Sequence, residues 1–242
     1  MNADPHLLSF AALRTTLGAS VPYFSQWEST DRVPEILAGT FDLKDDPLWS
    51  ESGAASQSEY AEWANHLCGM ACLKMLLASR TGLVFPTMRL AQMALDFGAY
   101  QIKEGSIHGM IYAPFVNMAK TRFGLEAEAR TGLKASEISR IMRSGSLFIA
   151  SVHPSIRYLE PPPSKKGGHL VLVISAESNR LVFHNPSGHT PEAQRNVEVS
   201  VQLFDEYFAG RGIHILPPSV RANPDSALSR EKVGDRVKDP IR

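Results

Sequence analysis

Cysteine is scarce in this chain: two residues among 242. Two thiols cannot build the disulfide framework of a small secreted domain, and they suit a reducing compartment. No excess charge of either sign is present, with 25 Lys and Arg against 25 Asp and Glu. Such a chain lacks the field that draws nucleic acid or anionic lipid. Long apolar runs are missing as well, and nothing approaches the length of a membrane-spanning helix. The opening stretch, MNADPHLLSFAALRTTLGAS, has an early aspartate and only a short, broken apolar segment. It lacks the basic region and continuous apolar core of a signal peptide. There is no internal repeat. These absences leave a soluble cytoplasmic protein, with neither nucleic-acid nor membrane partners, as the expectation. Composition leaves the oligomeric state open.

What is present is enough apolar residue, 43%, for a sizeable core in one large domain or two small ones. Residues 1–20 read as a lead-in with one short helix, and VPYF (21–24) as a short extended segment. Residues 28–58 are polar and contain Pro34 and Pro47, which marks a long surface excursion holding a short helix or two. Helical patterns follow over 66–79, 86–98, 108–124 and 135–145, the last three ending in glycine. From 146 the period changes. SLFIASVH (146–153), HLVLVISA (169–176), RLVFHN (180–185), VEVSVQL (197–203) and IHIL (213–216) read as strands, with ESN (177–179) as a hairpin turn. A short helix, LFDEYFAGRG (203–212), interrupts them. A helical first half and an antiparallel second half make an α+β fold, with helices packed on one face of the sheet. The charged, proline-containing tail, 217–242, is expected to be disordered.

One stretch raises a chemical question. NHLCGMACLKMLL (65–77) places Cys68 just inside an apolar helix. If Asn65 is the N-cap, Cys68 falls in the first turn, where free N–H groups and the helix dipole favour a thiolate. Gly69 would let a substrate approach the backbone. A lone cysteine of this kind is more often a core residue, and Cys72, one turn deeper in the apolar pattern, reads as one. A nucleophile also needs a base and an orienting group. KKGGHLVLVISA puts His169 at the mouth of a strand, and LVFHNPSG puts Asn185 at the end of the next. Across a tight hairpin these two can meet, the amide oxygen fixing the imidazole tautomer. Taken together the three residues are far more specific than any one of them.

Other readings stand beside this one. His108, His153, His169, His184 and His189 fall into no tight metal-ligand spacing, so neither a metal nor another cofactor is expected. His108 reads as opening a helix, and His184 as facing away from Asn185. Trp27, Trp49 and Trp63 read as packing residues, with a groove-lining role as the alternative.

These residues resemble the papain-like cysteine peptidases, and within them the C39-like peptidase family. VPYFSQW resembles that family's opening segment, HLCGMACLKMLL its Cys-Gly helix, and GGHLVLVISA with LVFHNPSG its two site strands. The likeness spans 21–216. It implies a papain-like fold in which an N-terminal helical half packs on a C-terminal antiparallel sheet. It implies Cys68 as nucleophile, His169 as base, Asn185 as orienting residue and Gln26 as oxyanion donor. The expected activity is hydrolysis of a peptide or peptide-like amide through a thioester, beginning from a thiolate–imidazolium pair. An acyltransferase or ligase would share every one of these residues, and a non-catalytic peptide-binding domain could share the fold. Two departures stand out. The family more often has aspartate where this chain has Asn185, and Gln26 lies 42 positions before Cys68.

Overall fold

The computed structural model describes residues 21–142, 145–159 and 163–218. The lead-in 1–20, and the tail from 219 onward, lie outside them. The helices are α1 (Val33–Ala38), α2 (Gln57–Trp63), α3 (Cys68–Thr81), α4 (Thr87–Asp96), α5 (Tyr112–Phe123), α6 (Ala135–Ile141), α7 (Pro191–Gln194) and α8 (Val201–Tyr207). The strands are β1 (Tyr100–Lys103), β2 (Ser106–Gly109), β3 (Ala127–Thr131), β4 (Leu147–Val152), β5 (His169–Ala176), β6 (Arg180–His184), β7 (Val197–Ser200) and β8 (Phe208–Ile215). Strands β1 and β2 form a hairpin. The other six form an antiparallel sheet in the order β3-β8-β4-β5-β6-β7.

The fold is α+β, and its core lies on both faces of that sheet. Helices α3, α4 and α5 pack with Leu147, Ile149, Leu170, Leu172 and Ile213 on one face. On the other face Phe148, Ala150, Val171 and Val173 meet Ile138 of α6 and Phe204 and Tyr207 of α8. Sequence patterning predicts cover on one face only. The two short helices supply the second cover, which is why β4 is buried at every position. Helix α3 is buried from Gly69 through Leu77, Lys74 included. A helix surrounded on all sides shows no amphipathic stripe. Lys74 is accommodated by Glu28 at 3.6 Å and Thr87 Oγ1 at 3.2 Å.

Several boundaries differ from the sequence reading; the short helix expected over 203–212 ends at Tyr207, where strand β8 begins, and the helix expected over 135–145 ends at Ile141. The helix expected over 108–124 begins at Tyr112, because 106–109 is strand β2, so His108 sits exposed on a hairpin. The turn uses Glu104 and Gly105 at φ 50° and 72°, the pair of left-handed residues a tight hairpin needs. Ser200 ends β7 and caps α8 by accepting from Leu203 N–H at 3.1 Å, which splits the expected 197–203 strand. Strand β3, whose sequence is AEART, shows almost no burial; its pairing with β8 makes it a strand.

Residues 28–58 are more than a surface excursion. They fold around Asp46, fully buried, which accepts from Ser29 Oγ (2.6 Å), Tyr60 OH (2.6 Å), Leu48 N–H (2.9 Å) and Ser29 N–H (3.3 Å). Trp27, Val33, Leu43, Tyr60 and Ala64 form a small apolar cluster beside it.

Candidate active site

Cys68 is the first residue of α3, two positions nearer the helix end than sequence reasoning places it. Asn65 is not the cap. It lies in a 3-10 turn, Ala64–His66, and Leu67 occupies the cap position without a side-chain hydrogen bond. The Asn65 side chain instead accepts from Trp27 Nε1–H at 3.1 Å. Gly69 does not open the backbone to solvent either. A Cβ there would stand 2.8 Å from Met110 Sδ and 3.0 Å from Leu170 Cδ1, so glycine admits these two side chains against the helix. Cys72 is fully buried, with its sulfur 3.8 Å from Leu170 O. Cys68 is half-buried.

His169 begins β5, and Asn185 follows the last residue of the neighbouring antiparallel strand β6. Two glycines precede the histidine, Gly167 and Gly168, at φ +96° and +97°. Side-chain-bearing residues rarely adopt that backbone, so the turn that aims the ring depends on the glycine pair. His169 Nε2 lies 2.8 Å from Asn185 Oδ1. Ser187 N–H donates to the same oxygen at 3.2 Å, which fixes the amide with its oxygen toward the ring. An acceptor oxygen at that distance requires the ring hydrogen on Nε2, leaving Nδ1 with a free lone pair.

Two residues that sequence reasoning passes over complete this cluster. Ser187 Oγ, fully buried, lies 2.9 Å from His169 Nε2 and 3.3 Å from Asn185 Oδ1, and accepts from Arg157 Nε at 2.7 Å. In sequence Ser187 belongs to an ordinary NPSG turn, and nothing local distinguishes Arg157.

The electrostatics differ from the expected ion pair. Burial pushes the Cys68 thiol up, against smaller opposing effects from the Leu170 and Gly69 backbone and the charge of Arg157. Burial, and then Arg157, push His169 down to about 3, with the Asn185 hydrogen bond opposing. Desolvation is the largest influence on both groups, and on each it disfavours the charged form.

Gln26 belongs to a strap, residues 21–27, that joins the two halves of the site. Gln26 N–H and Ser25 Oγ donate to Pro186 O at 2.9 and 3.0 Å, and Tyr23 OH to Asn185 O at 3.2 Å. His184 Nε2 bonds Val21 O at 2.9 Å, facing away from the Asn185 side chain. On the helix side, Gln26 Nε2 donates to Ala64 O at 3.1 Å, four residues before the cysteine. Gln26 is 2% exposed and is not among the residues that line the cleft. Its Oε1 and the Asn185 Nδ2 are buried without a hydrogen-bond partner among the described residues.

The cleft has a volume of about 400 Å³, and Cys68 and His169 both line it. Tyr100, Met110 and Leu170 supply apolar wall. None of the tryptophans lines it: Trp27 and Trp63 are buried in packing clusters and Trp49 packs against one. Among the described residues no group of His, Cys, Asp and Glu is arranged to hold a metal, and no helix is long and apolar enough to cross a membrane.

No family model matches the chain, and no curated protein matches it in sequence. Two solved structures that it resembles are peptidase domains. One is the peptidase domain of Streptococcus ComA, a bi-functional ABC transporter involved in a quorum sensing pathway. It is 18% identical over 63% of this chain and 92% of that one, with a TM-score of 0.42. The other is described as a C39-like peptidase from Bacillus anthracis, 15% identical over 63% of this chain and 89% of that one, with a TM-score of 0.44. Likenesses at this level carry no argument about chemistry, so any functional reading has to come from the site itself.

Proposed function

We propose that the protein is a cysteine-dependent hydrolase of peptide or peptide-like amide bonds. The observation that carries this reading is the His169–Asn185 contact at 2.8 Å in the wall of a cleft shared with a helix-start cysteine. Asn185 holds the ring so that Nδ1 is the free base. As Cys68 Sγ attacks the carbonyl carbon, its proton passes to His169 Nδ1 and the carbonyl becomes an oxyanion. Backbone N–H at the start of α3 is one donor for that oxyanion. Gln26 is the second in this scheme: it does not line the cleft, and Nε2, which uses one hydrogen on Ala64 O, has to turn the other toward Cys68 when substrate binds. Collapse breaks the C–N bond, and the imidazolium returns its proton to the leaving amine. Water then attacks the thioester, His169 taking its proton, to release the acid and regenerate the thiol.

The test is alkylation with iodoacetamide and mapping of the modified residue. Cys68 reacts more than about tenfold faster than the buried Cys72, and Cys68→Ala abolishes amide hydrolysis against a peptide library. Equal labelling of the two cysteines, or hydrolysis surviving in Cys68→Ala, removes the assignment.

A further inference from the structure

We infer that Arg211 forms a carboxylate-binding subsite in the cleft, so that the substrate is an amide bearing a carboxylate near the bond offered to Cys68. This rests on the reading of Cys68 as nucleophile. The observation behind it is an irregularity in the sheet. Where β4 pairs β8, Ala150 faces Gly212 but Val152 faces Phe208, so Ala209, Gly210 and Arg211 together lie opposite Ser151. A bulge of this kind bends a strand and re-aims its side chains, and bulges gather beside active sites. The local sequence is built for it. Gly210 has φ +67°, and at Gly212 a Cβ would stand 2.3 Å from Ile149 O.

The bulge sends the Arg211 side chain over the glycine pair that precedes His169. Its Nη2 lies 2.9 Å from where a Cβ of Gly167 would be, a position glycine leaves empty. Arg211 and Ser151 both line the cleft. No carboxylate lines it, and Arg211 has no acidic partner among the described residues. The other arginine of the region, Arg157, already donates to Ser187. Among the described residues the cleft therefore presents one guanidinium without an acidic partner, and its planar fork matches a carboxylate in two parallel hydrogen bonds. The Ser151 hydroxyl, on the same wall, is placed to add a third. An acidic side chain and a free chain end share this chemistry.

The test compares two alkylating probes of Cys68 in the intact protein: iodoacetate, which carries a carboxylate, and iodoacetamide, its neutral counterpart. Arg211→Gln lowers the iodoacetate-to-iodoacetamide rate ratio by roughly threefold to tenfold, an effect that fades in high salt. Arg211→Lys retains part of the preference. Protection of Cys68 from iodoacetamide separates the two sources: N-acetyl-glycyl-glycine presents only a chain end, and N-acetyl-glutamyl-glycinamide only a side chain. Protection by either one that is lost in Arg211→Gln supports the subsite. An unchanged probe ratio, together with no Arg211-dependent protection, overturns it while leaving the nucleophile intact. If neither reagent modifies Cys68, the nucleophile reading fails instead. The subsite is then decided by whether the Arg211 side-chain NMR signal shifts on titration with those two peptides, and a signal that does not move overturns it.

Discussion

Asn185→Asp is the most informative single change in this site. Asn185 Nδ2 has no hydrogen-bond partner among the described residues, so replacing that group with an oxygen sacrifices no bond. The other oxygen keeps its contacts with His169 Nε2, Ser187 N–H and Ser187 Oγ. What changes is charge. A carboxylate centred about 4 Å from the imidazole interacts with its protonated form by about 4 kcal/mol at an effective dielectric of about 20. That corresponds to roughly three pH units, reduced to roughly two to three because burial at position 185 disfavours the ionised carboxylate. His169, held at about 3 in the native protein, rises accordingly toward roughly 6. The sign follows directly. In the native protein the ring is neutral above about 3, and the thiol, pushed up by burial, ionises only in alkali. In Asn185→Asp the ring holds a proton up to near neutrality and stabilises a thiolate beside it. Iodoacetamide reactivity of Cys68 therefore gains a component near pH 6–7, and at pH 7 rises roughly tenfold or more. The assay is the pH dependence of alkylation rate, with circular dichroism to establish folding. A folded Asn185→Asp protein whose profile superimposes on the native one refutes the reasoning.

Two further outcomes can be checked. Gln26→Ala slows acyl transfer by roughly two to three orders of magnitude while costing only about 1 kcal/mol in stability, for the Ala64 O bond it removes; single-turnover rates unchanged from native would move the donor role elsewhere. Asp46→Ala strands three buried donors and one part-buried donor and destabilises by about 3–5 kcal/mol in urea unfolding, and a loss under about 1 kcal/mol would show that the 28–58 region folds without that carboxylate.

What the sequence reveals and conceals follows from the range of each interaction. HLVLVISA matches β5 residue for residue, because an apolar run bounded by glycines and a turn leaves little choice. The approach of Asn185 to His169 is legible in outline, since a short turn makes the two strands neighbours, but the bulge between Val173 and Ser175 that shifts their register by one residue is not. The helix cap misleads, since Asn65 is a good cap type whose side chain is taken by Trp27, 38 positions away. The protonation states mislead more. A helix-start cysteine suggests a thiolate, but burial, which no local pattern reports, is the largest influence on both Cys68 and His169. Ser187 and Arg157 are invisible for a related reason, because their contact exists only once the 3-10 turn Pro154–Arg157 meets the loop after β6. Helices α6 and α8 are both legible as helical segments, but the sheet face they cover is not, because that depends on the path of the chain around the sheet.

The strap of residues 21–27 has a consequence for how the protein is made. It touches the turn before Cys68 on one side and Pro186 on the other, so the cluster is closed only when chain segments from three distant places are all present. During synthesis the cysteine leaves the ribosome 101 residues before His169 does. At about 5–20 residues per second that interval lasts roughly 5–20 s. Throughout it Cys68 is without His169, Asn185 and the strap's anchor at Pro186, so the cluster assembles only after the segment carrying Asn185 and Pro186 has been made.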